Sequence, residues 1–368
     1  MTSSSSTPDD LSKLTIAFVL DPPHLTSDSI ILVASIRHFL GNSVRIAAYT
    51  PEHKEEFLFP YIREFYNHMD ADIRLMDAED KFVRPYKQGN KMIACAQPRD
   101  TEYTLFLDTD TAIVAPFALA DLVSPGKVTV VPEGVQGWGG NDGEWEYVYG
   151  KYDLPLPTQT VRLSRSGKQT LPYFNAGMIA FPTGSAFAET WLRTAHELDD
   201  DPEVRHKRPW LDQIALPLAI NLSGLQADIR DADWNLSISH PGVERKKPAF
   251  FERINGTDAK IVHFHRARYF DQTKFAGPVG EALAARTVYA DLFEYIRPGM
   301  ERAERRKHVW QRFGELKGKK DRSEAETQEL KEMDREKKRF KRRRHDVDLH
   351  REEAPESILA PELRKTSE

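Results

Sequence analysis

The sequence predicts an α/β domain built on a mostly parallel sheet. Short apolar runs alternate with segments of helical period through the first 110 residues. Those runs end in turn residues, and acids stand at two of the ends: Asp21 and the pair Asp108/Asp110. In open sheets of this kind, ligands bind beyond the carboxyl ends of the strands. The three acids therefore mark the expected working edge.

Each element follows from its own pattern. "LTIAFVLD" (14–21) reads as a buried strand stopped by Asp-Pro-Pro. "SDSIILVASIRHFLG" (27–41) reads as a helix, with Ser or Asp near its cap and Gly41 as its stop. "SVRIAAYT" (43–50) is a second strand, and "PEHKEEFLFPYIREF" (51–65) is mostly helical with a break at Pro60. "ADIRLMD" (71–77) is a third strand, "GNKMIACAQ" (89–97) a short helix and "YTLFLDTD" (103–110) a fourth strand. Beyond these, "KVTVVPE", "YFNAGMIAF" and "KIVHFH" read as strands. "SAFAETWLRTAHEL", the start of "PWLDQIALPLAI" and "VGEALAARTVYADLFEYI" read as helices. The Gly- and aromatic-rich stretch 134–160 reads as a binding loop or lid, although Trp138 and Trp145 within it suit packing.

From about Glu301 the composition turns to charges of both signs. Val309, Phe313 and Leu316 form a short stripe that could dock on the core, but little apolar surface follows Lys317. The expected division is a disordered N-terminus at 1–13, one domain at 14–300 and a charged helical or disordered tail at 301–368. The basic block "KKRFKRRRH" (337–345) reads as solvated, with peripheral contact to an acidic surface as the alternative.

The chain has 368 residues, 40% hydrophobic and 30% charged, enough for one large or two ordinary domains. Its formal net charge of −5 gives no general attraction to nucleic acid, and none is expected as a partner. A single cysteine, Cys95, excludes an intrachain disulfide and fits a reducing compartment. The polar start "MTSSSSTPDDLSK" lacks the basic and apolar regions of a secretory leader. No apolar run approaches the roughly 20 residues of a membrane span. A cytoplasmic location is the expectation, and the sequons at Asn221, Asn235 and Asn255 then read as accidental.

In a strand, residues two apart share a face, so Asp108 and Asp110 are expected to aim together where the buried strand emerges. Two close carboxylates repel, and keeping both ionised in a pocket is costly without a cation. Carboxylates with open positions for phosphate oxygens suit Mg²⁺ or Mn²⁺. A solvated turn is the plainer reading of Asp-x-Asp. The flanking "TLFL" and "AIVAP" argue against it by placing the pair at an organised edge.

"YTLFLDTDTAIV" resembles the Asp-x-Asp segment of GT-A fold glycosyltransferases, in particular the retaining glycogenin and galactosyltransferase-like group. Four further places are similar, in order. Lys91 stands 17 positions before Asp108, where the family tends to carry a basic residue facing the nucleotide-sugar. "FNAGMIAF" (174–181) resembles a strand in which Asn175, Ala176 and Gly177 would line the donor sugar. "WLDQIAL" (210–216) resembles the pair in which Asp212 and Gln213 would sit near the reacting carbon. "IVHFH" (261–265) resembles the late His strand, so that His263 would complete a metal site with Asp108 and Asp110.

The resemblance implies a Rossmann-like GT-A domain and transfer of a sugar from a nucleotide diphosphate donor, most simply a UDP-sugar. It implies retention of configuration, Mn²⁺ or Mg²⁺ as cofactor, and a glycan, protein or small-molecule acceptor that the sequence does not name. Asp212, Gln213 and Asn175 form the expected catalytic set. Asp21 either caps the next helix or binds the base or ribose. The segment after His263, "HFHRARYFDQTKF", departs from the family by lacking its Gly and Lys-Pro. Arg266, Arg268 or Lys274 is then left to grip the diphosphate, and Arg266 enters the donor set.

Each assignment has a structural alternative. Asn175 and Gly177 can shape a strand, Asp212 and Gln213 can lie on an exposed helix face, and His263 can be a satisfied core residue. Two rivals come from other classes. "LFLDTDTAIV" also resembles the first motif of haloacid-dehalogenase-type phosphatases, but three strands precede it and no Gly-Asp-x-x-x-Asp follows. The other rival is a non-catalytic, transferase-like binding or scaffold protein.

Overall fold

The computed structural model describes residues 10–79, 81–238, 248–343 and 354–364, with side chains described to residue 341 in the third stretch. The first strands are the expected ones: β1 (Leu14–Val19), β2 (Arg45–Pro51), β3 (Asp72–Met76) and β4 (Tyr103–Leu107). A short β5 (Thr111–Ile113) precedes β6 (Lys127–Pro132). The hairpin β7 (Val161–Arg162) and β8 (Gln169–Thr170) leads into the long β9 (Phe174–Pro182). β10 (Gln226–Ile229), β11 (Leu236–Ser237) and β12 (Ile261–His263) follow.

Seven strands pair in the order β10-β6-β9-β4-β1-β2-β3. All neighbours are parallel except β9, which runs against both β4 and β6. This is the mostly parallel α/β sheet that the alternation predicted. Helices cover both faces, which is why the strands read as near-continuous apolar runs. β1 illustrates the division. Leu14, Ile16 and Phe18 join one core, while Ala17 and Val19 join the other.

The first core takes α1 (Thr26–Phe39) and α2 (Pro60–His68). Residues 52–57 before α2 form a 3-10 turn, and Pro60 starts the helix instead of breaking it. The second core takes α3 (Gly89–Ala96); the single turn α4 (Leu119–Leu122) lies under β6 on the first. α5 (Glu144–Gly150), α6 (Phe187–Asp200) and α7 (Leu211–Leu222) complete the second core. The Gly-rich stretch therefore contains a helix, and Trp138 and Trp145 are buried edge to face within it. They pack, as their sequence setting suggested.

The remaining helices correct the reading of the C-terminal third. α8 (Pro248–Asn255) and the single turn α9 (Ala267–Phe270) flank β12. The one late helix expected over 279–296 is two: α10 (Ala276–Ala284) and α11 (Leu292–Gly318). Asp291 divides them, because its carboxylate accepts from the Glu294 amide at 2.7 Å and caps the second. α11 runs continuously through the boundary expected at 300/301. It then pairs with α12 (Glu324–Arg343) as an antiparallel hairpin tied by Arg305–Glu336 and Arg312–Glu329. Val309 and Leu316 meet Met333 in a small cluster of their own and do not dock on the main core. After residue 353 the chain returns, and Ile358 and Leu359 are buried in the first core. The basic block 337–345 extends beyond the described side chains.

A small second sheet, β11-β12-β5, positions the acids. β12 pairs antiparallel with β5 and sets His263 opposite Thr111. The residue just before that pair is Asp110. No helix among the described residues is long and apolar enough to cross a membrane.

Candidate active site

The strand ends converge on one cleft of about 410 Å³, lined by Asp21, Lys91, Asp108 and Asp110 among others. The aspartate pair is not in a strand: β4 stops at Leu107, and Asp108-Thr109-Asp110 form the turn into β5. The pair is oriented by backbone bonds. The Asp108 amide donates to the Gly177 carbonyl at 2.8 Å, and the Phe264 amide donates to the Asp110 carbonyl at 3.0 Å. Adjacent sheets thus fix the two carboxylates from opposite sides.

Lys91, on α3, is buried with its ammonium at the centre of an acidic group. It lies 2.9 Å from Asp108 and 3.3 Å from Asp212, and donates to the Ala176 carbonyl at 3.1 Å. Burial alone lowers the lysine pKa, but the Asp108 and Asp212 carboxylates overcome it and hold the pKa above the ordinary lysine range. Burial pushes Asp108 up despite Lys91 and His263. Burial also opposes ionisation of Asp110, yet the imidazoles of His263 and His265 keep it ionised below the usual carboxylate range. Lys91 thus meets Asp108 and Asp212, while Asp110 is met by the two imidazoles.

His263 Nε2 lies 3.1 Å from Asp110 and 4.0 Å from Asp108, while its buried Nδ1 meets no protein partner. His265 stacks on His263 with ring centroids 3.8 Å apart, and its Nδ1 lies 3.8 Å from Asp110. Its backbone is left-handed, at φ 53°, so the strand ends at His263 and the face shared by the two rings comes from that turn. Asp110, His263 and His265 bring ligand atoms within 4.8 Å of one another. Carboxylate and imidazole donors set this close fit a divalent cation such as Mn²⁺. Gly177 leaves the space beside them. A Cβ there would stand 2.7 Å from His263, 2.8 Å from Asn175 and 2.9 Å from Asp108.

Asn175 and Gln213 come together through a residue that the motifs did not single out. The Glu133 carboxylate accepts from Asn175 Nδ2 at 2.6 Å and from Gln213 Nε2 at 2.9 Å through the same oxygen. Asn175 Oδ1 in turn accepts from the Gly177 amide and from Asn235 Nδ2, each at 2.8 Å. Asp212 is buried at the start of α7 and accepts from the Tyr86 hydroxyl at 2.9 Å. Asp212 and Gln213 are therefore not on an exposed helix face. Glu133 follows β6 directly, so the strand-end rule that drew attention to Asp21 also points to it. Tyr86 and Asn235 carried no local signal.

Two expected donor residues sit apart from this group. Asp21 lies on the rim of the cleft, 3.9 Å from Lys54, with one buried oxygen free of hydrogen bonds. Arg266 does not line the cleft. It is exposed at a separate cavity beside α1 and α11.

No curated protein sequence matches the chain. Several solved structures are similar to it at low identity. The galactosyltransferase LgtC in complex with donor and acceptor sugar analogues is 11% identical, over 73% of this chain and 95% of that one, with a TM-score of 0.47. Mouse xyloside xylosyltransferase 1 is 14% identical, over 68% of this chain and 97% of that one, with a TM-score of 0.43. The glycosyltransferase GlyE of Streptococcus pneumoniae is 15% identical, over 68% and 53%, with a TM-score of 0.43. The model of the Rhodobacterales glycosyltransferase domain matches residues 16–224, more than half of the chain and the part that carries Asp108, Asp110, Asn175 and Asp212. The chain thus belongs to the Rhodobacterales glycosyltransferase domain family, and it is a glycosyltransferase.

Proposed function

We propose that this glycosyltransferase is metal-dependent, takes a UDP-sugar as donor and transfers the sugar with retention of configuration. The observation that carries this reading is one buried cluster in which Lys91 pairs with Asp108 and Asp212 while His263 reaches Asp108 and Asp110. An Mn²⁺ or Mg²⁺ ion held by Asp110 and His263, with Asp108 and His265 beside them, would neutralise charge on the diphosphate leaving group.

The protein's own groups do the rest. Lys91 holds Asp108 and Asp212 in place and adds positive charge where the diphosphate gathers its negative charge. Asn175 and Gln213, fixed by Glu133, present amide groups to sugar hydroxyls. The backbone at Ala176 and Gly177 approaches the sugar closely because glycine leaves room. Asp212, held by Tyr86 and Lys91, stabilises positive charge developing on the sugar ring. In the retaining course the acceptor attacks from the face the leaving group departs, and the departing phosphate takes its proton. Asp21 meets the base or ribose at the rim.

The test is donor hydrolysis with a panel of UDP- and GDP-sugars, in Mn²⁺ or in chelator. Metal-dependent nucleotide release from a UDP-sugar, lost in Asp110→Asn, is the expected result. Release that persists in chelator would sink the metal, and release only from a GDP-sugar would sink the donor. The phosphatase rival loses its footing because the aspartates follow the fourth strand of a glycosyltransferase-family domain.

A further inference from the structure

The cavity that holds Arg266 has an identity of its own. It measures about 290 Å³ and lies between the first turn of α1, the residues after His265 and the first half of α11. Its wall is largely apolar: Ile31, Ala267, Tyr295, Ile296 and Met300. Gly299 and Ala303, one turn apart on α11, keep it open, and a Cβ added at Gly299 meets nothing within 4 Å. Arg266 and Arg268 stand exposed at its mouth. Two acids also line it, Asp28 and Glu304. Burial and the charge of Asp110 raise the Asp28 pKa to about 7, so at neutral pH and below much of it is an uncharged hydrogen-bond donor.

Two observations tie the cavity to the catalytic corner. Arg266 directly follows His265, whose ring faces Asp110. Asp28 lies close enough to Asp110 to feel its charge. The exposed face of α11 beyond the cavity carries Arg302, Arg305, Arg306 and Lys307 alongside Glu301 and Glu304, with Arg305 paired to Glu336 of α12.

We propose that this cavity is an acceptor subsite for an amphipathic anion, a molecule with an apolar body and a phosphate or carboxylate group. The apolar wall takes the body. Arg266 and Arg268 take the anion, since guanidinium groups match phosphate and carboxylate oxygens. The assignment rests on the transferase reading above. It moves Arg266 from the donor to the acceptor side.

The test uses the full chain and calorimetry with n-octyl phosphate. Comparison probes are n-octyl glucoside, inorganic phosphate, and phosphatidylcholine vesicles with or without phosphatidylglycerol. Saturable binding of octyl phosphate is expected, at least about tenfold tighter than octyl glucoside or inorganic phosphate. Arg268→Glu and Gly299→Leu should each weaken it about tenfold or more. Gly299→Leu fills the cavity while favouring the helix. Gly299→Leu should keep metal-dependent donor hydrolysis. Equal binding of octyl phosphate by both variants and the parent overturns the subsite. So does inorganic phosphate binding as tightly as octyl phosphate, or binding confined to anionic vesicles and unchanged by Gly299→Leu. Octyl phosphate binding without hydrolysis of any donor instead counts against the transferase mechanism, and the cavity is then an amphipathic-anion site with no acceptor role.

Discussion

The ammonium of Lys91 lies 2.9 Å from Asp108 and 3.3 Å from Asp212, so one buried cation holds together a residue after β4 and a residue on α7. Among the described residues no other lysine or arginine pairs with these two buried carboxylates. Removing the lysine leaves Asp212 without a cationic partner and Asp108 with His263 alone.

Lys91→Met should therefore lower the stability of the metal-free protein by about 3 kcal/mol, the usual cost of breaking a buried pair. Urea unfolding monitored by tryptophan fluorescence checks it. Adding Mn²⁺ should restore part of the loss. Asp212→Asn on the Lys91→Met background should cost less than the two single changes added together.

Gly177→Ala brings a Cβ within 2.7 Å of His263 and 2.9 Å of Asp108. The change should leave the far-UV spectrum intact and weaken Mn²⁺ binding about 10- to 100-fold, as displaced metal-site neighbours commonly do. Mn²⁺ titration followed by paramagnetic resonance reads this directly. Unchanged affinity would mean that the cation lies away from His263.

Glu133→Gln keeps size and removes charge. The native carboxylate accepts three bonds, from Gly134, Asn175 and Gln213. An amide must turn its NH₂ toward at least one of those donors. Donor turnover should fall about 100-fold through misplacement of the two amide side chains, with a smaller change in KM. A loss confined to KM would show that Glu133 serves binding alone.

Asp28 gives a pH dependence with a definite sign. Its folded pKa is raised from 3.8 to about 7 by burial first and the Asp110 charge second. A raised carboxyl pKa favours the protonated native state. Its stabilising contribution is complete below the unfolded value and is lost as pH climbs through about 7. Asp28→Asn should match the parent near pH 4 and melt at a higher temperature at pH 8. A constant difference in Tm across that range would count against the shift.

Much of the fold was legible because local pattern and burial agree. β1 is buried throughout, β4 after Tyr103 and β2 after Arg45, and Gly41 follows the first helix at a positive φ as its type allows. Legibility failed where a long-range partner decides. Asp108 and Asp110 share a face through a turn held by Gly177 and Phe264, not through strand geometry. The residues that fix Asn175 and Asp212 are Glu133 and Tyr86, and no local pattern marks a side chain whose role is to hold another. Arg266 looked like a phosphate grip by position, but the left-handed backbone at His265 turns the chain toward α11. Val309 and Leu316 formed the expected stripe and found a partner in α12 that its charged composition concealed.

The lone reversed strand, β9, has a consequence for how the enzyme becomes active. Because it runs against β4 and β6, its opening residues arrive where theirs finish. Partners in the site are consequently 42, 80, 126 and 153 positions apart along the chain. Contacts of that span form only after long loops have closed. On the proposed reading, nucleotide affinity is then a gauge of finished folding. A chain still emerging from the ribosome should gain it only once β12 has paired with β5, since the sequence before Ile261 encodes all seven strands of the large sheet but not His263.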